Sequence, residues 1–320
     1  MGIRKSALNA HAFLIIFFSN NPKGYSMFKK IIIGLFGVLI LLGGLALVCY
    51  PFISNYLMGL NHASEITQQE AAVKELDDDV IHNAFKDAKK YNKNLVGVST
   101  IADPFDTSQE DFEDLDDKNL LNVNNDSIMG NIEIPKINVN LPIFHGASQE
   151  VLLKGIGHLT NTSLPVGGKS THAVLTGHTG VSNASLFTDL DKLVLGDMFF
   201  INVLDRTLAY EVDQIKVVRP TQKKDLLIEE GKDYVTLITC TPYGVNSHRL
   251  LVRGRRVHYG KDEIEEIINT TETVESTWMA EYKRALIIGA TVLSAIVVVF
   301  IVLRIALFRR RKKKSNTETN

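Results

Sequence analysis

Apolar positions fall into three regimes along the chain. Residues 31–54 run for 24 positions without a charge, enough to cross a hydrocarbon core of about 30 Å at about 1.5 Å per residue. A second uncharged run, residues 285–303, is followed by six consecutive cations from Arg309 to Lys314. Both runs predict transmembrane helices; a buried core helix rarely lacks charge for so long. The first is also longer than the apolar part of a cleaved signal peptide, and no small-residue cleavage site follows it. By the positive-inside rule the C-terminal cations are cytoplasmic, and Lys29 and Lys30 place the N-terminal flank there too. A two-pass cell-membrane protein is therefore expected, with residues 55–284 outside.

Between the spans the period changes twice. Over residues 61–96, Ile66, Val73, Leu76, Val80, Ala84, Ala88, Tyr91 and Leu95 recur at helical spacing with no Gly or Pro, which predicts a juxtamembrane amphipathic helix or pair of helices. Residues 102–117 then hold eight acidic residues and no basic one, the pattern of a solvated loop. Beyond Asn131 short β-branched and aromatic runs alternate with turn formers. Strands are predicted at 132–144, 172–176, 198–204, 208–218, 234–239 and 249–257, with a turn at Asp205-Arg206 and a short helix over 186–194. The fold class is mainly β, a closed barrel that disposes of its sheet edges.

The predicted layout is an N-terminal cytoplasmic segment (1–30), a span (31–54), juxtamembrane helices with a loop (55–130), the barrel (131–260), a linker (261–284), a second span (285–308) and a basic tail (309–320). The apolar patch at 13–18 is too short to span. Met27-Phe28-Lys29-Lys30 reads as the start of a membrane-anchored protein, so Met27 is the expected initiator.

Composition sharpens this picture in two ways. At 45% hydrophobic the chain is too apolar for disorder, and a net charge of -1 argues against bulk attraction to nucleic acid. That near-neutrality hides a division, since residues 1–30 carry five basic and no acidic residues and residues 285–320 seven basic and one acidic. The remainder holds 23 basic against 35 acidic residues. An acidic outer region is framed by two basic inner ends.

The two cysteines, Cys49 and Cys240, exclude a disulfide-rich scaffold and a paired-cysteine metal site. Cys49 lies in the first apolar run, where a small apolar residue is ordinary. Cys240 ends the strand-like run 235–240 and is followed by eight residues rich in turn formers before Arg249 opens the next strand. Antiparallel pairing of the two strands would bring Cys240 and Arg249 to one cleft. An unpaired thiol outside the membrane invites oxidation unless it has a task, the alternative being a buried core cysteine. A nucleophilic thiol needs an imidazole and a donor for the developing oxyanion. Arg249 offers the second. For the first, His178 between glycines at a strand end competes with His172 and His248.

At these residues the sequence resembles the sortases, membrane-anchored cysteine transpeptidases of Gram-positive bacteria. The resemblance rests on Thr236 to Cys240 (TLITC), Arg249 within NSHRLLVRG, and LTGHTG around His178 followed by LFTDLDKLVLGD. It covers roughly residues 130–258. The second span and Asp103-Pro104-Phe105 resemble the class C, pilin-polymerising members, which carry a lid with an Asp-Pro-aromatic tip.

The resemblance implies that Cys240, His178 and Arg249 are catalytic, with Asp103, Pro104 and Phe105 forming the lid. It implies cleavage of an LPXTG-like sorting signal between Thr and Gly and transfer of the acyl group to a pilin lysine, with no cofactor or metal. Expected partners are pilin subunits or surface proteins bearing that signal, an amine acceptor, and the membrane. The rivals are a housekeeping sortase that anchors proteins to the cell-wall precursor, and a two-span surface binding module without chemistry.

Overall fold

The computed structural model describes residues 22–95, 101–105, 119–180 and 186–317. The apolar patch at 13–18 and the acidic run from residue 106 onward lie outside them. The described chain divides at Gly59, with α1 up to that residue in one unit and Leu60 onward in the other. Helix α1 (Pro22–Lys74) carries the first apolar run, and its apolar window is unburied. A break at Glu75, Leu76 and Asp77 precedes α2 (Asp78–Asn94), so the amphipathic stretch is a pair of helices.

Ile66, Val73, Ala88 and Leu95 are buried as the period predicts. Val80 is not; it stays exposed, and Phe85 is buried on α2 instead. Asn92 fastens α2 to the barrel domain, its side-chain amide donating to the Leu164 carbonyl (3.0 Å) and its oxygen accepting from the Leu164 amide (2.7 Å).

Eight strands close a barrel: β1 (Ile128–Ile134), β2 (Val139–His145), β3 (Ile156–His158), β4 (Thr171–Thr176), β5 (Met198–Val203), β6 (Arg206–Val218), β7 (Asp233–Thr241) and β8 (His248–Val257). They are ordered β1-β2-β3-β4-β7-β8-β6-β5, and β5 pairs back onto β1. The closed β architecture expected from the sequence is therefore present. Two pairs are parallel, β2 with β3 across the short helix α3 (Gln149–Lys154), and β4 with β7. Strands β4 and β7 are buried along almost their whole length, which explains their continuous β-branched runs.

Three local expectations are corrected, and one strand was not expected at all. The run at 132–144 is a hairpin rather than one strand: Pro135 opens a 3-10 turn and Asn138 takes a left-handed conformation (φ 50°). The β5–β6 turn is Leu204-Asp205, one residue earlier than expected, since Val203 pairs with Arg206 and Leu204 holds φ 51°. No α-helix forms over the described part of 186–194. Turns lead there into a 3-10 helix (Leu190–Lys192), and the Asp189 carboxylate accepts from the Thr277 amide instead of supporting a longer helix. The three-residue β3 escapes the pattern because alternation is recognisable only over about four to eight residues.

Within the stretch expected as a linker, helix α4 (Lys261–Thr270) packs Ile264, Ile267 and Ile268 against Phe200 and Ala209. Helix α5 (Thr277–Thr317) carries the second apolar run, also unburied. Among the described residues, two helices are thus long and apolar enough to cross a membrane.

Candidate active site

Strand register builds the site. In the parallel pair Thr176 on β4 faces Ile238 on β7, and the Gly177 amide continues the ladder by donating to the Ile238 carbonyl (3.1 Å). Two residues further on each chain, that register reaches His178 and Cys240. On the other side of β7, Cys240 is the direct partner of Arg249 on β8. Register partners point to the same face and adjacent strands lie about 5 Å apart. Cys240 and Arg249 therefore stand side by side on neighbouring strands, and His178 follows two residues past the end of β4 on the other side of β7. The same face carries Val174, Ile238 and Leu251, which cluster with Ile101, Leu159 and Leu226.

The loop holding His178 is tightly fixed. A Cβ on Gly177 would lie 2.7 Å from Ile156 and 2.9 Å from Phe187, so only glycine passes here. The Phe187 amide donates to the His178 carbonyl (3.2 Å). Thr239 donates its hydroxyl to the Gly177 carbonyl (2.7 Å) and is itself within 2.5 Å of the Thr179 hydroxyl. Sequence reasoning missed Thr239. Strand alternation puts it on the face opposite Cys240, and only the parallel β4–β7 pairing reveals what it holds.

The rival histidines are spoken for. His172 is fully buried, bonded to the Leu227 carbonyl (2.9 Å) and the Thr236 hydroxyl (2.7 Å), and burial pulls its pKa down to about 4. His248 pairs with Thr241 beyond Cys240, and its Nδ1 meets the Ser247 hydroxyl (2.9 Å). Cys49 sits on α1, and both cysteines are free thiols.

Over the three-strand face lies the segment from Ile101 to Phe105. The Asp103 carboxylate grips Arg249 with both oxygens, at 3.0 Å from Nε and 2.8 Å from Nη2. Both side chains are about nine-tenths buried, at 8% and 10% exposure. The Arg249 Nη1 donates to the Asn246 and His248 carbonyls (3.1 Å each), which fixes the guanidinium plane. The Phe105 ring lies 5.6 Å from the His178 ring and 5.0 Å from the guanidinium carbon of Arg249. One aromatic side chain thus touches both residues that flank Cys240. Pro104 occupies the turn between the two contacts.

Electrostatics follow from this cover. Cys240 is 8% exposed. Burial pushes its thiol pKa up, and although Arg249 pulls it down, Asp103 opposes Arg249. Burial lowers the pKa of His178. Both groups are held toward their neutral forms while Asp103 and Phe105 are in place. No cluster of His, Cys, Asp or Glu among the described residues could hold a metal ion.

The Sortase domain family model matches residues 132–257, the span of the barrel. The chain superposes on sortase C-1 from Streptococcus pneumoniae with 45% identity and a TM-score of 0.58, covering 62% of this chain and all of that one. It superposes on the pilus-related sortase C of Group B Streptococcus with 47% identity and a TM-score of 0.55, covering 59% and 95%. The chain belongs to the sortase family. A further relative, sortase A of Listeria monocytogenes, is 28% identical over 253 residues, 79% of this chain and 98% of that protein. The sortase fold and its cysteine transpeptidase chemistry are thereby established, and the apolar helices α1 and α5 are consistent with membrane anchoring.

Proposed function

We propose that the protein is a class C sortase that polymerises pilins. It cleaves an LPXTG-like signal between Thr and Gly and transfers the acyl group to a lysine amine of the next subunit. The observation that carries the reading is the bidentate Asp103–Arg249 pair with Phe105 against His178, a plug built from the chain's own Asp-Pro-Phe segment. The higher identity to the sortase C structures than to the sortase A relative supports the same class.

In this mechanism the Cys240 thiolate attacks the Thr carbonyl carbon, and Arg249 stabilises the oxyanion. His178, as imidazolium, protonates the departing glycine amine as the C–N bond breaks. The acceptor amine then attacks the thioester, loses a proton to His178 and expels Cys240 as thiolate. Asp103, Pro104 and Phe105 act as a lid whose departure frees Arg249 for the substrate and lets both Cys240 and His178 ionise. The catalytic region lies outside the cell, between two spans with both ends inside.

The test is incubation of the full chain in detergent with an LPXTG peptide and a pilin subunit. Covalent subunit–subunit products that vanish in Cys240→Ala support the proposal. Attachment to cell-wall precursor amines alone would instead identify a housekeeping sortase.

A further inference from the structure

At the far end of the barrel from Cys240, α2 and the strand starts enclose a pair of confluent clefts of about 410 and 470 Å³. Strands β4 and β7 begin here, at Thr171 and Asp233. They run about seven residues, some 23 Å, before reaching the His178 and Cys240 end. The clefts share Lys89 and the Gly167-Gly168 turn. Lys93 and Lys169 line one of them, and Arg206, Arg256 and His258 the other. Six basic side chains therefore converge within a region that is otherwise strongly acidic.

The convergence is built in rather than accidental. Lys89 and Lys93 lie four residues apart on one face of α2, and between them Asn92 locks the helix to Leu164, three residues before the turn. Gly167 and Gly168 hold φ of +66° and +131°, conformations that favour glycine and set the path of Lys169 and Ser170. The amides of Lys169 and Ser170 donate to no backbone acceptor among the described residues.

Among the described lining residues the one carboxylate, Asp233, is already committed. It accepts from the Gly168 amide (2.7 Å), the Thr171 hydroxyl (3.4 Å) and the Tyr210 hydroxyl (3.1 Å). Lys89, Lys93 and Lys169 have no carboxylate partner among the described residues, unlike Lys136, Lys154, Lys192, Lys216 and Lys283.

We propose that this cleft is a binding site for an organophosphate, a phosphate ester whose oxygens are met by Lys89, Lys93, Lys169 and Arg256. Several ammonium groups around an amide-bearing glycine turn match a tetrahedral phosphate anion, and the volume accommodates a phosphate with its attached alcohol. The ester belongs either to a lipid headgroup or to a soluble or wall-borne phosphate, both of which an extracellular, membrane-anchored enzyme meets. The site is separate from the transpeptidase chemistry and does not depend on the class C reading.

The test uses the full-length protein in phosphatidylcholine nanodiscs, with pyrophosphate as the probe in equilibrium dialysis at fixed ionic strength. One saturable site is expected. It should weaken by about tenfold or more when the exposed Lys89, Lys93 and Lys169 are together changed to Ala, as expected for lost charge-assisted bonds. The control removes the same charge elsewhere through Lys86→Ala, Lys90→Ala and Lys261→Ala, and should bind as the parent does. Pilin or peptide transfer by Cys240 should be unchanged in both variants.

Competition then separates the sources. Stronger displacement by dihexanoylphosphatidylglycerol assigns the site to a headgroup, and stronger displacement by glycerol 3-phosphate to a wall or soluble ester. Absence of saturable binding, equal weakening in the two triple variants, or displacement by neither ester overturns the proposal.

Discussion

Replacing Asp103 with Asn keeps the shape of the side chain but removes the charge that neutralises Arg249. Asp103 meets Arg249 at 2.8 and 3.0 Å, and Arg249 is the register partner of Cys240. A unit charge about 6 Å from the sulfur, at an effective dielectric of about 20, is worth about 3 kcal/mol, or about two pH units. The Cys240 pKa should therefore fall by up to that amount, raising the thiolate fraction at pH 7.5 by as much as about 100-fold. Because thiolate nucleophilicity declines with pKa (Brønsted slope about 0.4–0.5), the alkylation rate should rise by only about tenfold.

The assay is iodoacetamide labelling of the full chain across pH 6–10, read by intact mass. Phe105→Ala separates charge from cover. It should raise the plateau rate by uncovering the site while leaving the midpoint closer to the parent value than Asp103→Asn does. An Asp103→Asn midpoint equal to that of the parent protein would refute the electrostatic argument, whatever the rate.

Three further outcomes follow from the site and the core. His178→Ala should lower kcat/KM for peptide transfer by about 10²–10⁴ and Arg249→Ala by about 10²–10³, measured by product formation with folding checked by circular dichroism. Thr239→Val removes the hydroxyl that holds Gly177, which should cost about 1 kcal/mol of stability in urea melts and lower kcat more than it raises KM. His158 and His172 are buried with pKa values of about 4. Their depressed folded-state values mean that the unfolded chain binds more protons between pH 4 and 6.5. Stability should fall as pH drops through that window, by up to about 3 kcal/mol for each group. His172→Gln should flatten the loss, and an unchanged acid-unfolding profile would show that His172 does not control it.

Much of the site was legible because it depends on short-range regularities. Alternation along 235–240 and the eight-residue connection to Arg249 already implied a shared cleft, and the observed Cys240–Arg249 register matches it. By residue pattern alone His178 was one of three histidines, and only the resemblance of LTGHTG singled it out; the parallel β4–β7 pairing that carries it toward the Cys240 end depends on a long crossover that no local pattern encodes. Asp103 and Phe105 were legible only through the resemblance of Asp103-Pro104-Phe105 to a lid tip; composition alone reads an acidic loop there, because the contact to Arg249 spans 146 residues. The hairpin at Pro135 and Asn138 was hidden because apolar positions alternating with polar ones continue on both sides of it, through Ile132 and Ile134 and then Ile137, Val139 and Leu141. The basic cleft was invisible in the sequence, since α2, the glycine turn and the ends of β6 and β8 meet only in the closed barrel.

The central claim is that Cys240 forms an acyl-enzyme once Asp103 and Phe105 no longer cover it. Intact mass of the full chain after incubation with an LPXTG peptide tests it most directly. An adduct matching the peptide acyl group through Thr is expected on Cys240, abundant in the Asp103→Ala, Phe105→Ala variant and absent when Cys240 is also Ala. No adduct on Cys240 in the uncovered, folded protein would contradict it.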